Sequence, residues 1–175
     1  MIGLNNKTAE ETPAKLCIEL VPKTCWFSNV RNHIKKGEWD TVRKIVFQKA
    51  QNKCEICGGR GKKWPVECHE RFMYDDTRHS QTLIGLIALC PECHQTKHFG
   101  LARVRGIDKQ AMWHLCAVNG WEIDQGVDHV NRQFEIWVER SQHEWSVDLG
   151  FMKREFGIEI SEESASKRAE YGEAL

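Results

Sequence analysis

Two cysteine pairs of the same form, Cys54-Glu55-Ile56-Cys57 and Cys90-Pro91-Glu92-Cys93, enclose His69 and are followed by His94 and His98. These seven metal-capable side chains fall within 45 residues, from 54 to 98, which is more than one tetrahedral ion accepts. Two chemically different sites are implied, one structural and one able to do chemistry. Paired thiolates with a two-residue spacer in a tight turn reach a single zinc ion, and two such pairs complete its coordination. The pairs are separated by 32 residues, 58 to 89, which suits a hairpin held between two knuckles. A redox role is disfavoured because the pair is doubled and no thioredoxin-like context surrounds it. Cys17, Cys25, Cys68 and Cys116 lack such partners and read as small buried hydrophobes, Cys68 being set apart by its neighbour His69.

His94 and His98 stand four residues apart in a helical pattern, so both imidazoles share one face and can reach one ion. His69 ends a strand-like run, with Glu67 on the same face and Glu70 beside it. Packing of that strand on that helix, which metal at both knuckles would enforce, brings His69 to the pair. Two blander roles remain open. His94 adjoins Cys93 and could serve the thiolate site, while His98 could simply sit near a helix C-terminus. His33, His79, His114, His129 and His143 read as ordinary exposed or satisfied histidines, and Trp113, Trp121, Trp137 and Trp145 as core.

The elements that must position these groups follow from periodicity. Leu16–Val21 is strand-like and stopped by Pro22, and Ser28 could cap a helix through Ile34. Trp39, Val42, Ile45, Val46 and Lys49 recur at helical spacing and predict an amphipathic helix over 38–51. A strand-like run over 64–70, a polar loop around Asp75-Asp76-Thr77, an apolar segment over 83–89 and a helix opened by Pro91 come next. Helices are expected over 108–118, ending at Asn119-Gly120, and over 128–142, with a short closing strand over 145–149.

The chain has 175 residues, with Lys+Arg 25 against Asp+Glu 25, so its total charge selects no polyanionic partner. The distribution is uneven. Residues 31 to 63 hold ten Lys or Arg against three acids, while 155 to 175 hold six Glu against two basic residues and form an acidic tail, frayed or disordered. The basic stretch fits either a solvated helix or a phosphate-facing surface. The polar start shows no apolar signal segment, the cysteines fit a reducing cytoplasm, and the longest apolar run is too short to span a bilayer.

The stretch from about Trp39 to Gly100 resembles the HNH nuclease family, in the version whose ββα-metal fold is braced by a four-cysteine zinc. Asn52-Lys53-Cys54-Glu55-Ile56-Cys57-Gly58, Val66-Glu67-Cys68-His69-Glu70 and Leu89-Cys90-Pro91-Glu92-Cys93-His94-Gln95-Thr96-Lys97-His98 carry the likeness. The resemblance implies an α+β fold, a ββα-metal (treble-clef zinc) core with flanking helices. It divides the chain into an N-terminal flanking segment (1–37), the core (38–105), a helical extension packed on it (106–160) and the acidic tail (161–175). It also implies an endonuclease that hydrolyses phosphodiester bonds of DNA, with structural Zn²⁺ at Cys54, Cys57, Cys90 and Cys93. A catalytic divalent ion (Mg²⁺, Mn²⁺, Ni²⁺ or Zn²⁺) would sit at His69, His94 and His98. His69 is then base or ligand, with Glu70 as the alternative base. Arg60, Lys62, Lys63, Lys97, Arg103 and Arg105 are expected on phosphates, with RNA as substrate and pairing into a homodimer left open.

Two departures from the family stand out: Cys68 precedes His69 where the family places Asp or His, and no Asn occurs between His69 and His94. Gln81 and His79 are the available substitutes for orienting the base. The competing reading is a non-catalytic treble-clef zinc module that binds nucleic acid or a protein and needs only the four cysteines. A redox-sensing cysteine protein is the third.

Overall fold

The computed structural model describes residues 13–25 and 29–160; the expected cap at Ser28 and the tail over 161–175 lie outside them. The architecture is α+β, a three-stranded sheet of order β1-β2-β3 flanked by helices. No helix among the described residues is long and apolar enough to cross a membrane.

α1 (Lys36–Lys49) buries Trp39, Val42 and Val46 and begins with a one-sided cap, the Lys35 N–H donating to Glu38 Oε2 at 2.9 Å. A hairpin follows: β1 (Glu67–Asp75) pairs antiparallel with β2 (Ser80–Leu89), His69 lying opposite Ile87, with one irregularity between Arg71 and Phe72. Both strands run further than the apolar residues alone predict, because the turn is closed locally. Asp75 Oδ1 accepts from the N–H groups of Thr77 and Arg78, each at 3.0 Å. β3 (Ser146–Asp148) then adds in parallel to the start of β2.

After the hairpin, α2 (Pro91–Lys97) opens on Pro91, as the sequence predicts, but ends at His98, where φ −89° and ψ 47° leave the helical region. α3 (Phe99–Val104) restarts at once. The His98 N–H still donates to the His94 carbonyl at 3.1 Å, so the break does not carry His98 off the His94 face. α4 (Asp108–Asn119) stops at Gly120 in the left-handed conformation. α5 (Ile123–Arg140) begins five residues before the expected Asp128, since Gln125 Oε1 accepts from the Glu122 N–H at 2.9 Å and starts the helix there. α6 (Phe151–Phe156) was not anticipated and closes the described chain.

Two apolar clusters form. One gathers Trp39, Val42 and Val46 with Cys68, Leu83, Ala88 and Met152; the other gathers Leu16 and Ile18 with Leu89, Phe99, Ala111, Leu115 and Val130. Alternation along β1 therefore sends Cys68 toward α1 and leaves Glu67 and His69 for the α2 side.

The expected strand over Leu16–Val21 is not part of the sheet. It is an extended segment whose polar backbone is satisfied by other means. Asn119 accepts from the Leu16 N–H (3.1 Å) and donates to the Leu16 carbonyl (2.7 Å). His129 Nε2 takes the Ile18 N–H at 3.3 Å, and the Lys97 carbonyl takes that of Glu19 at 2.8 Å. Trp137 Nε1–H donates to the Val21 carbonyl at 2.9 Å.

Candidate metal centre

The first knuckle follows α1, where Gln51 and Asn52 both take φ 53° and turn the chain back. The Cys54 N–H donates to Gly59 O and the Gly58 N–H to Cys54 O, both at 2.9 Å, with Gly58 itself at φ +74°. Glu55 pins the knuckle to the sheet: its N–H donates to the Ala88 carbonyl (2.9 Å) and its carboxylate accepts from the Ala88 N–H (2.6 Å). β2 then runs straight into Cys90, whose Sγ caps α2 by accepting from the Cys93 N–H at 3.4 Å. In this way Cys54, Cys57, Cys90 and Cys93 converge, and Cys57 is the exposed member.

Cys57 Sγ lies 3.6 Å from Cys90 Sγ. Two sulfurs each about 2.3 Å from a shared tetrahedral ion would be about 3.8 Å apart, so the spacing fits zinc. The hydrogen bond from Cys93 lowers the Cys54 pKa against the pull of burial, while Cys54 in turn raises that of Cys93, so the cluster favours a shared negative charge that a cation would meet. One member of the surroundings was missed from sequence: His114 Nε2, from α4, lies 3.1 Å from Cys93 Sγ. Burial lowers its pKa. Its distance of 21 residues from Cys93 left no spacing signal.

His69, His94 and His98 form the second group, on β1 and at the two ends of one turn at the close of α2. Ring centroids are 5.2 Å apart for His69 and His94, 5.0 Å for His69 and His98, and 4.7 Å for His94 and His98. All three pairs meet edge to face. His94 Nε2 and His98 Nε2 are 3.1 Å apart, close to the 3.3 Å or so expected of two nitrogens about 2.0–2.1 Å from one tetrahedral ion.

A carboxylate fixes each of two rings. Glu67 Oε2 accepts from His94 Nδ1–H in a short contact, leaving the Nε2 lone pair for His98 or an ion. Glu19 Oε2 accepts from His69 Nε2–H at 2.9 Å. That leaves His69 Nδ1, buried and without a hydrogen-bond partner, in a residue only 3% exposed. A buried ring nitrogen with nothing to bond is costly unless a proton donor or cation meets it. The three donors therefore suit a divalent ion that accepts imidazole nitrogen. Burial, reinforced by the charge of His69 and His94, depresses His98 to about 3. Burial and His69 lower His94 too, against the pull of Glu67. Both shifts favour the neutral imidazole, the form that ligates a metal.

Glu19 is the main residue that sequence reading missed. Burial alone would raise its pKa, but the bond from His69 and the adjacent Lys97 ammonium bring it down to about 2. Lys97 Nζ lies 2.5 Å from Glu19 Oε1, and Lys97 is buried. This corrects the expectation that Lys97 faces phosphate, because its charge is committed inward to the carboxylate that holds His69.

Glu70 is also corrected as the alternative base. The strand's alternation turns it to the Cys68 side, and its charge raises the Cys68 pKa there. Cys68 is itself pushed up to about 12, mainly by burial, which disfavours its thiolate. Neither substitute for the absent Asn reaches the site: Gln81 Oε1 accepts from the Cys25 thiol at 3.0 Å, and His79 stacks on His143 at 4.1 Å. Asp75 closes the hairpin turn and Asp76 pairs with Arg140, at 2.6 Å and 2.9 Å.

No family model, curated protein or solved structure matches this chain. Of the residues expected on phosphate, Arg60, Lys62, Lys63, Arg103 and Arg105 are exposed. Arg60 donates to the Gln51 carbonyl at 2.9 Å, and the Arg103 guanidinium lies over Phe134 at 4.9 Å. Arg31, exposed and 5.4 Å from the Trp39 ring centre, adds its positive charge to the forces lowering His94 and His98.

Proposed function

We propose that the chain is a metal-dependent hydrolase of nucleic-acid phosphodiester bonds, built as an HNH-like ββα-metal core with structural zinc at the four cysteines. The observation that carries this reading is the convergence of three imidazoles, two of them held by carboxylates, with one buried ring nitrogen left over. Structural zinc sites close with four protein ligands, whereas three protein ligands leave a position for substrate or water. A divalent ion in such a site supplies Lewis acidity toward a phosphoryl oxygen and a water activated at neutral pH.

This chain's residues do the rest. His69, His94 and His98 bind; Glu19 and Glu67 keep protons on the outward nitrogens so that the inward lone pairs stay free. His69 then acts as a ligand, and with Glu70 on the other face no separate side-chain base is required. Arg31 supplies a cation near the same rings, where a phosphate would sit. DNA is the substrate first in line, with the exposed basic loop 60–63 as the surface that would meet its phosphate backbone.

A plasmid-nicking assay across Mg²⁺, Mn²⁺, Ni²⁺ and Zn²⁺ tests the reading. Divalent-dependent nicking that His94→Ala abolishes, with zinc content at the cysteines unchanged, is the expected result. The competing non-catalytic zinc module is favoured by Glu70 facing away, and it requires one tightly held zinc per chain with no second ion and no nicking.

A further inference from the structure

The loop that joins the first knuckle to β1 carries Trp64, which is 44% exposed and belongs to neither apolar cluster. Its ring is nonetheless fixed. Trp64 Nε1–H donates to Glu67 Oε1 at 2.7 Å, and the other oxygen of that carboxylate holds His94 Nδ1. Two hydrogen bonds thus separate the indole from a ring of the candidate centre.

The loop is equally constrained. The Gly61 N–H donates to the Pro65 carbonyl at 2.9 Å. A Cβ at Gly61 would stand 2.3 Å from the Trp64 carbonyl oxygen and 2.5 Å from Pro91 Cδ, so the loop is pressed onto the first turn of α2, the helix that carries His94. Around the indole the charge is positive: Lys63 Nζ lies over one face of the ring, 5.2 Å from its centre, on a flexible stem that a stacking base can displace, and Arg60 and Lys62 are exposed on the same short loop.

A large flat ring left in water, immobilised by its own N–H, flanked by cations and tied to the metal-ligand shell has a specific use. Nucleobases stack on such rings whatever their identity, provided that they are not already stacked in a duplex, while neighbouring cations follow the phosphates. Resting on the hydrolase reading above, we infer that Trp64 is a base-stacking platform, and that the site takes single-stranded or unpaired nucleotides in preference to intact duplex. A base on Trp64 places its own phosphate beside Lys63 and the chain's next phosphates toward the histidines. Trp64 also positions Glu67, so substrate stacking and the orientation of His94 share one residue.

The test uses the full-length chain loaded with one zinc per molecule, at the four cysteines, and a short fluorescein-labelled oligothymidylate, with a duplex of equal length as comparison. Binding is read by anisotropy without added divalent ion, so turnover plays no part. Trp64→Ala should weaken oligothymidylate binding on the order of 10-fold, and Trp64→Phe, which keeps a ring but loses the N–H, by about 2-fold or less. Part of the intrinsic tryptophan fluorescence should be quenched by the oligonucleotide in the wild type and not in Trp64→Phe. Wild-type affinity in Trp64→Ala would overturn the platform, as would duplex bound more tightly than the single strand. Equal losses in the two variants would also overturn it, since the N–H alone would then matter. Should Trp64→Ala lose its zinc, Trp64→Leu repeats the comparison with an apolar side chain that has no π face. An intact platform without nicking in any metal supports the stacking role and removes the hydrolase reading; nicking with an insensitive Trp64 does the reverse.

Discussion

Replacing Glu19 by Gln should damage stability and metal binding together, by amounts that the structure bounds. Glu19 receives a hydrogen bond from His69 at 2.9 Å and one from Lys97 at 2.5 Å, and its pKa falls from 4.5 to about 2. At about 1.4 kcal/mol per unit, that shift corresponds to about 3 kcal/mol of preference for the charged form in the fold. Gln keeps the shape and can still accept from His69, so a loss of about 1–3 kcal/mol is expected, chiefly from stranding the buried Lys97 ammonium. For a chain of this size that lowers Tm by roughly 3–10 °C. Because the folded pKa lies below the unfolded one, the stabilisation is complete above about pH 5 and disappears as pH falls toward 2; the gap between wild type and variant should close over that window. Freed from its anionic partner, His69 should also hold its ion about 10–100-fold less tightly. Calorimetry across pH and competition with a chromophoric chelator measure the two effects. A variant with wild-type Tm and ion affinity within about 2-fold would refute the role of Glu19 as a second-sphere anchor.

Three further outcomes follow from the same geometry. His98→Ala should lower the metal count from two ions per chain to one, as read by elemental analysis, while circular dichroism and thiolate-bound zinc stay as in the wild type. Cys93→Ala should instead release the structural zinc and unfold much of the described chain, since the four thiolates join the first knuckle to α2; far-ultraviolet dichroism would show the loss. Cys68, with its thiol pushed up to about 12 by burial, should resist iodoacetamide at pH 8 or so in the folded protein and react once denatured, which peptide mass spectrometry reports.

The thiolate cluster, the hairpin and the His94/His98 face were legible because each is written in local spacing: a repeated pair, two strand-like runs around a turn, and an i, i+4 interval. The charges that govern the histidines were not. Glu19 lies 50 residues before His69, on a segment that has no periodicity of its own and is fixed by the side chains of Asn119, His129 and Trp137. Lys97 sits between His94 and His98 on a short helix, and nothing in its neighbours announces that it turns inward to meet that distant carboxylate. Glu70 differs, since strand alternation already assigns it to the side opposite His69; the likeness to a family motif outweighed a simpler geometric rule. His114 joined the thiolates through the packing of α4 on α2, a tertiary contact beyond the reach of any local pattern.

The extended stretch over 16–21 gives the molecule an order of assembly. Thiolate closure involves residues no more than 39 positions apart, from 54 to 93, and can be achieved within the knuckle, hairpin and α2 alone. The anchor for His69 arrives only after α4 and α5 have folded, because Asn119, His129 and Trp137 hold the peptide groups that flank it. A nascent chain can therefore gather its four thiolates, and set His94 on Glu67, while His69 still lacks its carboxylate. The setting of Glu19 against His69 is a late event, waiting on α4 and α5 to leave the ribosome.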